Sequence, residues 1–219
     1  MKSWVPNGLT LINLALGIMA IFWTAEGHYY WAAWAIIGSL VADGLDGRAA
    51  RALGISGEFG KELDSLCDAV SFGVAPAYLM YHFAGLKEFG LVGIVGMLLF
   101  ALCGVLRLAR FNVMVDEIEG YFLGMPIPTG GCLVATYVIS QLNFSPLIAL
   151  VFLCLWGPLM VSSFRYPDFK GKDFPINKLA LGLSLFIAIG LVYMSWQAIG
   201  FAIFFSYMAF GILNKLLVR

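Results

Sequence analysis

The sequence predicts an all-α, polytopic membrane protein forming a single unit over residues 1–219, and three observations carry that prediction. Hydrophobic residues make up 61% of the chain and charged residues 12%, where a soluble domain carries about 25% charged residues. The mean hydropathy is +0.90, more apolar mass than one soluble core of this size buries. Apolar runs of about 20 residues, the length that crosses a bilayer, recur along the chain. The basic residues also fall on one side of those runs. These features exclude a water-soluble enzyme, a disordered tail and a collagen-like chain. With 13 basic and 13 acidic residues the formal charge is zero, and nothing argues for a nucleic-acid partner.

Eight spans are expected, near residues 8–26, 29–53, 61–84, 89–111, 129–144, 146–164, 177–195 and 197–215. The first follows Lys2, lacks a small-residue cleavage site and precedes many similar stretches, so it reads as a span rather than a removable signal. The apolar part of the second, 29–42, covers fourteen residues, about 21 Å as a helix and too short to cross alone. Its helix must therefore continue through 43–53, which carries Asp43, Asp46, Arg48 and Arg51 into or near the hydrocarbon region. A turn with Gly54, Ser56, Gly57 and Gly60 follows. The third span starts near Lys61 and holds Asp64 and Asp68 in its first two turns. The fourth ends on Arg107 and Arg110, and Asp116, Glu117 and Glu119 read as a solvated loop. Gly124, Pro126 and Pro128 break the chain before the fifth span, and short linkers separate the rest. His28 and His82 read as interfacial residues; Cys67, Cys103, Cys132 and Cys154 lack disulfide or metal spacing and read as buried thiols. An even number of spans puts both termini on one side. With that side cytoplasmic, every Lys and Arg except Lys87 lies inside.

Folding the second and third spans together about residue 57 brings Asp46 and Asp68, each eleven residues from the turn, to one depth. Asp43 and Asp46 are spaced i,i+3 and Asp64 and Asp68 i,i+4, so each pair shares a helix face. Four carboxylates then converge between two antiparallel helices in the cytoplasmic third of the membrane. Each costs at least about 2.5 kcal/mol in a spanning helix. Together they cost on the order of 10 kcal/mol, comparable to the stability of a whole domain, and something must neutralise them. Three readings follow. Arg48, Arg51 and Lys61 form a structural salt-bridge cluster with them; or the oxygens hold one or two divalent cations, an arrangement suited to displacement at phosphorus; or they mark a proton or cation path. The outer halves of the spans hold no acidic residue except Glu26 and Glu88 at their ends, which argues against a conduit. Gly44 and Gly47 either let helices pack closely or leave a bare backbone strip for a ligand. Arg51, one turn beyond Gly47, suits a pyrophosphate.

The stretch Asp43-Gly-Leu-Asp46-Gly47-Arg-Ala-Ala50-Arg51, continued by Gly60, Asp64 and Asp68, resembles the CDP-alcohol phosphatidyltransferase signature D-x2-D-G-x2-A-R-x8-G-x3-D-x3-D at all eight fixed positions. Segments 4–10, 71–76, 107–112, 124–128 and 165–170 resemble the serine-using membrane branch of that family. The resemblance implies a six-helix membrane core with added helices, a homodimer, and a pocket open to lipid on the cytoplasmic side of a prokaryotic cytoplasmic membrane. It implies CDP-diacylglycerol and L-serine as substrates, with phosphatidylserine and CMP as products. Glycerol 3-phosphate, inositol phosphate or an ether-lipid donor remain alternatives within the family. It assigns Asp43, Asp46, Asp64 and Asp68 to Mg2+ or Mn2+, two ions per site, with Asp68 also the general base. Gly47, Ala50, Arg51 and Gly60 would line the nucleotide. Arg107 and Arg110, assisted by Asn112, are expected to take the serine carboxylate. Asn7 and Thr10 either approach the pocket or cap the first helix, and capping is the preferred reading.

Overall fold

In the computed structural model, which describes residues 4–54, 57–114, 120–168 and 175–217, the chain is almost wholly helical. Lys2, Ser56, Asp116, Glu117, Glu119, Lys170, Lys172 and Arg219 lie outside the described residues. Helices α1 (Trp4–Ala25) and α2 (Tyr29–Ala52) pack as a hairpin through Gly27. Helix α3 (Glu58–Asp68) runs through one π-helical turn (Ala69–Val74) into α4 (Ala75–Phe83), and these three pieces make up the expected third span. Then come α5 (Leu91–Met114), α6 (Ile127–Ser140), α7 (Pro146–Val161), α8 (Lys178–Met194) and α9 (Ile199–Leu217). Each expected span thus has a helical counterpart whose ends differ by a few residues. By length and composition α1, α5 and the segment Trp196–Leu217 can each cross a membrane, while α6, α7 and α8 are shorter apolar helices. The 24-residue α2 is as long as α5, and its C-terminal half carries Asp43, Asp46, Arg48 and Arg51.

The sequence of α1 explains its packing. Its buried residues, Pro6, Thr10, Asn13, Gly17, Ala20 and Thr24, recur every three or four positions and form one inward stripe. Leu11, Ile12, Ile18 and Phe22 point outward, as lipid contact requires. Helix α6 is the central rod. All its residues but Pro128 and Ile139 are buried, and α2, α4 and α9 pack around it. Asn177 caps α8, its Oδ1 accepting from the Leu179 and Ala180 amides at 2.9 and 3.3 Å. At the α1–α2 turn, a cleft of about 600 Å³ is lined by Gly27, His28, Tyr30, Trp31, Phe83 and Gln141, among others.

One feature departs from the expected turn at 124–128. Strand β1 (Tyr121–Leu123) pairs antiparallel with β2 (Arg165–Pro167), Phe122 opposite Tyr166. Gly124, at φ +77°, then turns the chain toward α6, and its amide donates to the Phe164 carbonyl at 2.7 Å. A Cβ there would run into the Met160 carbonyl, so the turn requires glycine.

Candidate active site

The hairpin of α2 and α3 brings Asp43, Asp64 and Asp68 together, each offering a carboxylate oxygen within 4.8 Å of the others. Asp68 is 6% exposed. Asp46, equally buried, lies one turn along α2, outside that triplet but within electrostatic reach of it. Its Oδ2 accepts from Thr10 Oγ1 at 2.6 Å. Asn13 Nδ2 donates to Asp68 Oδ1 at 2.9 Å. Helix α1 therefore holds both carboxylates from its inward stripe. Asn13 is a site residue that sequence reasoning missed; Thr10 sits in the second turn of α1, where it reaches the site instead of capping the helix as preferred. A signal was present, because Asn7, Thr10 and Asn13 repeat every three residues in an apolar span, and polar groups there face the protein interior.

The basic side chains nearby do not form the salt-bridge cluster that was one reading. Arg48 and Arg51 are exposed, and Lys61 Nζ donates to the Asn112 carbonyl at 2.9 Å. Asp64 Oδ1 is buried with no hydrogen-bond partner. Three converging carboxylates and an orphaned oxygen form a hard-oxygen donor set, which fits a divalent cation such as Mg2+ or Mn2+. Beside them Gly47 and Ala50 are half-buried and the Arg51 guanidinium folds over Gly47, 3.4 Å from where a Cβ would stand. Gly60 is half-buried across from Asn7, whose Oδ1 lies 3.8 Å from the corresponding Cβ position. Gly47 in α2 and Gly60 in α3 thus leave backbone uncovered by side chains of their own.

The three residues expected at a serine carboxylate differ in their surroundings. Arg107 is 5% exposed, with its guanidinium carbon 4.8 Å from the Phe111 ring centroid and 6.0 Å from that of Phe122. Its Nε has no partner, and Asp68 is among the charges acting on it. Arg110 has another task. Its Nη1 donates to the Val161 carbonyl at 2.7 Å, and its Nη2 faces the carbonyls of Leu123, Ser162 and Met160 at 3.0, 3.0 and 3.3 Å. These bonds close the end of α7 onto β1 and leave no fork for a ligand. The Asn112 amide donates to Ser65 Oγ at 2.9 Å and approaches Glu62 Oε1 at 3.4 Å, so it ties α5 to α3. Outside the helices, burial pushes the Tyr166 phenol above its ordinary value.

Comparison with known proteins places this arrangement. Residues 3–213 match the CDP-alcohol phosphatidyltransferase family. The chain is 39% identical over 197 residues to a CDP-diacylglycerol–serine O-phosphatidyltransferase of Helicobacter pylori, covering 87% of this chain and 79% of that protein. It is 36% identical over 169 residues to a protein of the same name in Bacillus subtilis, covering 77% and 92%. It is 36% identical over 170 residues to an archaetidylserine synthase of Methanothermobacter thermautotrophicus, covering 76% and 71%.

Proposed function

We propose, from the premise that this chain belongs to the CDP-alcohol phosphatidyltransferase family, that it transfers the phosphatidyl group of CDP-diacylglycerol to the hydroxyl of L-serine. The products are phosphatidylserine and CMP. The names of the relatives support the acceptor. The observation that carries the chemistry is the Asp43–Asp64–Asp68 cluster with its orphaned oxygen.

The serine hydroxyl attacks the phosphorus that bears diacylglycerol; that O–P bond forms as the P–O bond to CMP breaks. Serine's hydroxyl is a poor nucleophile at neutral pH and needs an acceptor within hydrogen-bond reach. Asp68 takes the proton on Oδ2, because Oδ1 already accepts from Asn13. Asp43, Asp64 and Asp68, with Asp46 beside them, would hold Mg2+ or Mn2+, two ions per site, whose charge would offset that of the pyrophosphate. Arg51 places its fork over the same strip, where Gly47, Ala50 and Gly60 leave room for the nucleotide. Arg107 receives the serine carboxylate; its burial between aromatic rings strengthens that pairing by excluding water. The protein works as a homodimer in a cytoplasmic membrane, with the site and both termini on the cytoplasmic side. The one-sided distribution of Lys and Arg supports the orientation.

The test is CMP release from CDP-diacylglycerol by the purified protein in detergent with magnesium, offering serine, glycerol 3-phosphate, inositol phosphate or no acceptor. A parallel arm uses an ether-lipid donor. Serine-dependent release that Asp68→Asn abolishes is the expected result. Release with another acceptor alone overturns the choice of serine.

A further inference from the structure

We propose that Asn13 is a positioning residue for the transfer, acting through Asp68. It lies thirty residues before the first aspartate of the signature, on a helix that contributes nothing to that motif. Its side chain is wholly buried. The bond from Nδ2 to Asp68 Oδ1 is that side chain's single hydrogen bond among the described residues, since its own Oδ1 has no partner. Only the amino end of the amide can face a carboxylate, so Asp68 sets which way the amide points.

The backbone of Asn13 is fixed from two sides. Its carbonyl accepts from Ser39 Oγ on α2 at 3.1 Å and from Ser71 Oγ in the π-helical turn at 3.0 Å. One turn along α1, Gly17 meets the same π turn so closely that a Cβ would stand 2.8 Å from Ser71 Cα. The donor is therefore anchored to the element that begins one residue after Asp68 and to the helix that carries Asp43. A carboxylate with one oxygen held by a buried amide cannot swing freely, which fixes the group that Asp68 offers to the cluster. A neutral amide does this without adding to the local charge. Such supporting partners tune metal affinity and activity by about 10–100-fold.

This rests on the reaction proposed above, and the test separates the two. Asn13→Ala is made in the full chain, with Asn13→Val as a second donor-free variant that fills more of the space should alanine fail to fold. Steady-state kinetics with serine and CDP-diacylglycerol are measured together with Mn2+ affinity by electron paramagnetic resonance. We expect kcat to fall about 10–100-fold and the Mn2+ Kd to rise about tenfold. Both KM values should stay within about twofold of the parent. In an Asp68→Asn background, Asn13→Ala should leave Mn2+ binding unchanged, because the group it positions is gone. Parent-like kcat and Mn2+ affinity in a folded Asn13 variant overturn the proposal. So does an equal loss of Mn2+ affinity in both backgrounds, or a loss of kcat that only tracks a lowered Tm. A parent protein inactive with serine overturns the reaction, while the Mn2+ cycle still decides Asn13.

Discussion

One turn of α5 separates Arg107 from Arg110, and the two guanidinium groups are satisfied in different ways. Arg110 gives its Nη hydrogens to carbonyls at the end of α7 and on β1. Hydrogen bonds to a charged group contribute about 1.5–3 kcal/mol each. Arg110→Ala should therefore lower stability by at least about 3 kcal/mol, read as a drop in Tm, with little change in the serine KM of the folded fraction. Arg107 rests on aromatic faces with Nε unpaired. Arg107→Ala should raise the serine KM at least about tenfold, a loss of about 1.4 kcal/mol, with the CDP-diacylglycerol KM little changed. Equal rises in both would remove Arg107 from the acceptor site. Lysine should not restore it, because a point charge lacks the planar fork. From the sequence the two arginines looked equivalent, both basic, apolar-flanked and at a cytoplasmic helix end. What separates them is which carbonyls the folded α7 and β1 bring within reach, a long-range fact.

At the scale of elements, apolar runs located a helix for each expected span, and folding the second and third about residue 57 brought their aspartates together. Equal distance from the turn paired Asp46 with Asp68, whereas the triplet that converges is Asp43, Asp64 and Asp68. Those signals are local, so they survive in a single sequence. The β1–β2 ribbon did not announce itself, since strands of three residues are too short to show alternation. The π turn after Asp68 was equally silent: it reads as ordinary helix, and only the approach of α1 reveals it. At Gly17 that approach leaves no room for a Cβ. Gly17→Val should push α1 away from Ser71 and carry Thr10 and Asn13 with it. We expect turnover to fall more than tenfold, while circular dichroism retains the parent's helix content. Parent-like turnover would show that α1 supports the site only loosely.

At the scale of the whole molecule, a cation bound to the folded cluster and not to the unfolded chain stabilises the fold by mass action. At 100 times its Kd, Mn2+ should add about 2.7 kcal/mol. The Tm in detergent should rise accordingly, fall back with EDTA, and lose the shift in Asp64→Asn. Orientation has its own readout. In sealed cells a Lys87→Cys variant should react with an impermeant maleimide, and a Lys215→Cys variant should react only after the membrane is opened. The opposite pattern would invert the assignment of the cytoplasmic face.

The central placement of α6 matters to the cell as well as to the fold. An enzyme that holds a carboxylate cluster between its helices, and also opens a cleft at the α1–α2 turn, contains the two halves of a leak. Gly131 of α6 packs on Phe72 near the carboxylates, while Val138 lines the cleft. Between them Leu133, Val134 and Ala135 are buried, and the Thr136 hydroxyl is already bonded to the Cys132 carbonyl. A proton wire needs successive donors and acceptors free to turn; on this stretch the Thr136 and Tyr137 hydroxyls are each bonded to a backbone group instead, Tyr137 accepting from the Phe144 amide at 3.3 Å. Helix α6 thus puts apolar packing, one side chain deep, between the carboxylates and the cleft.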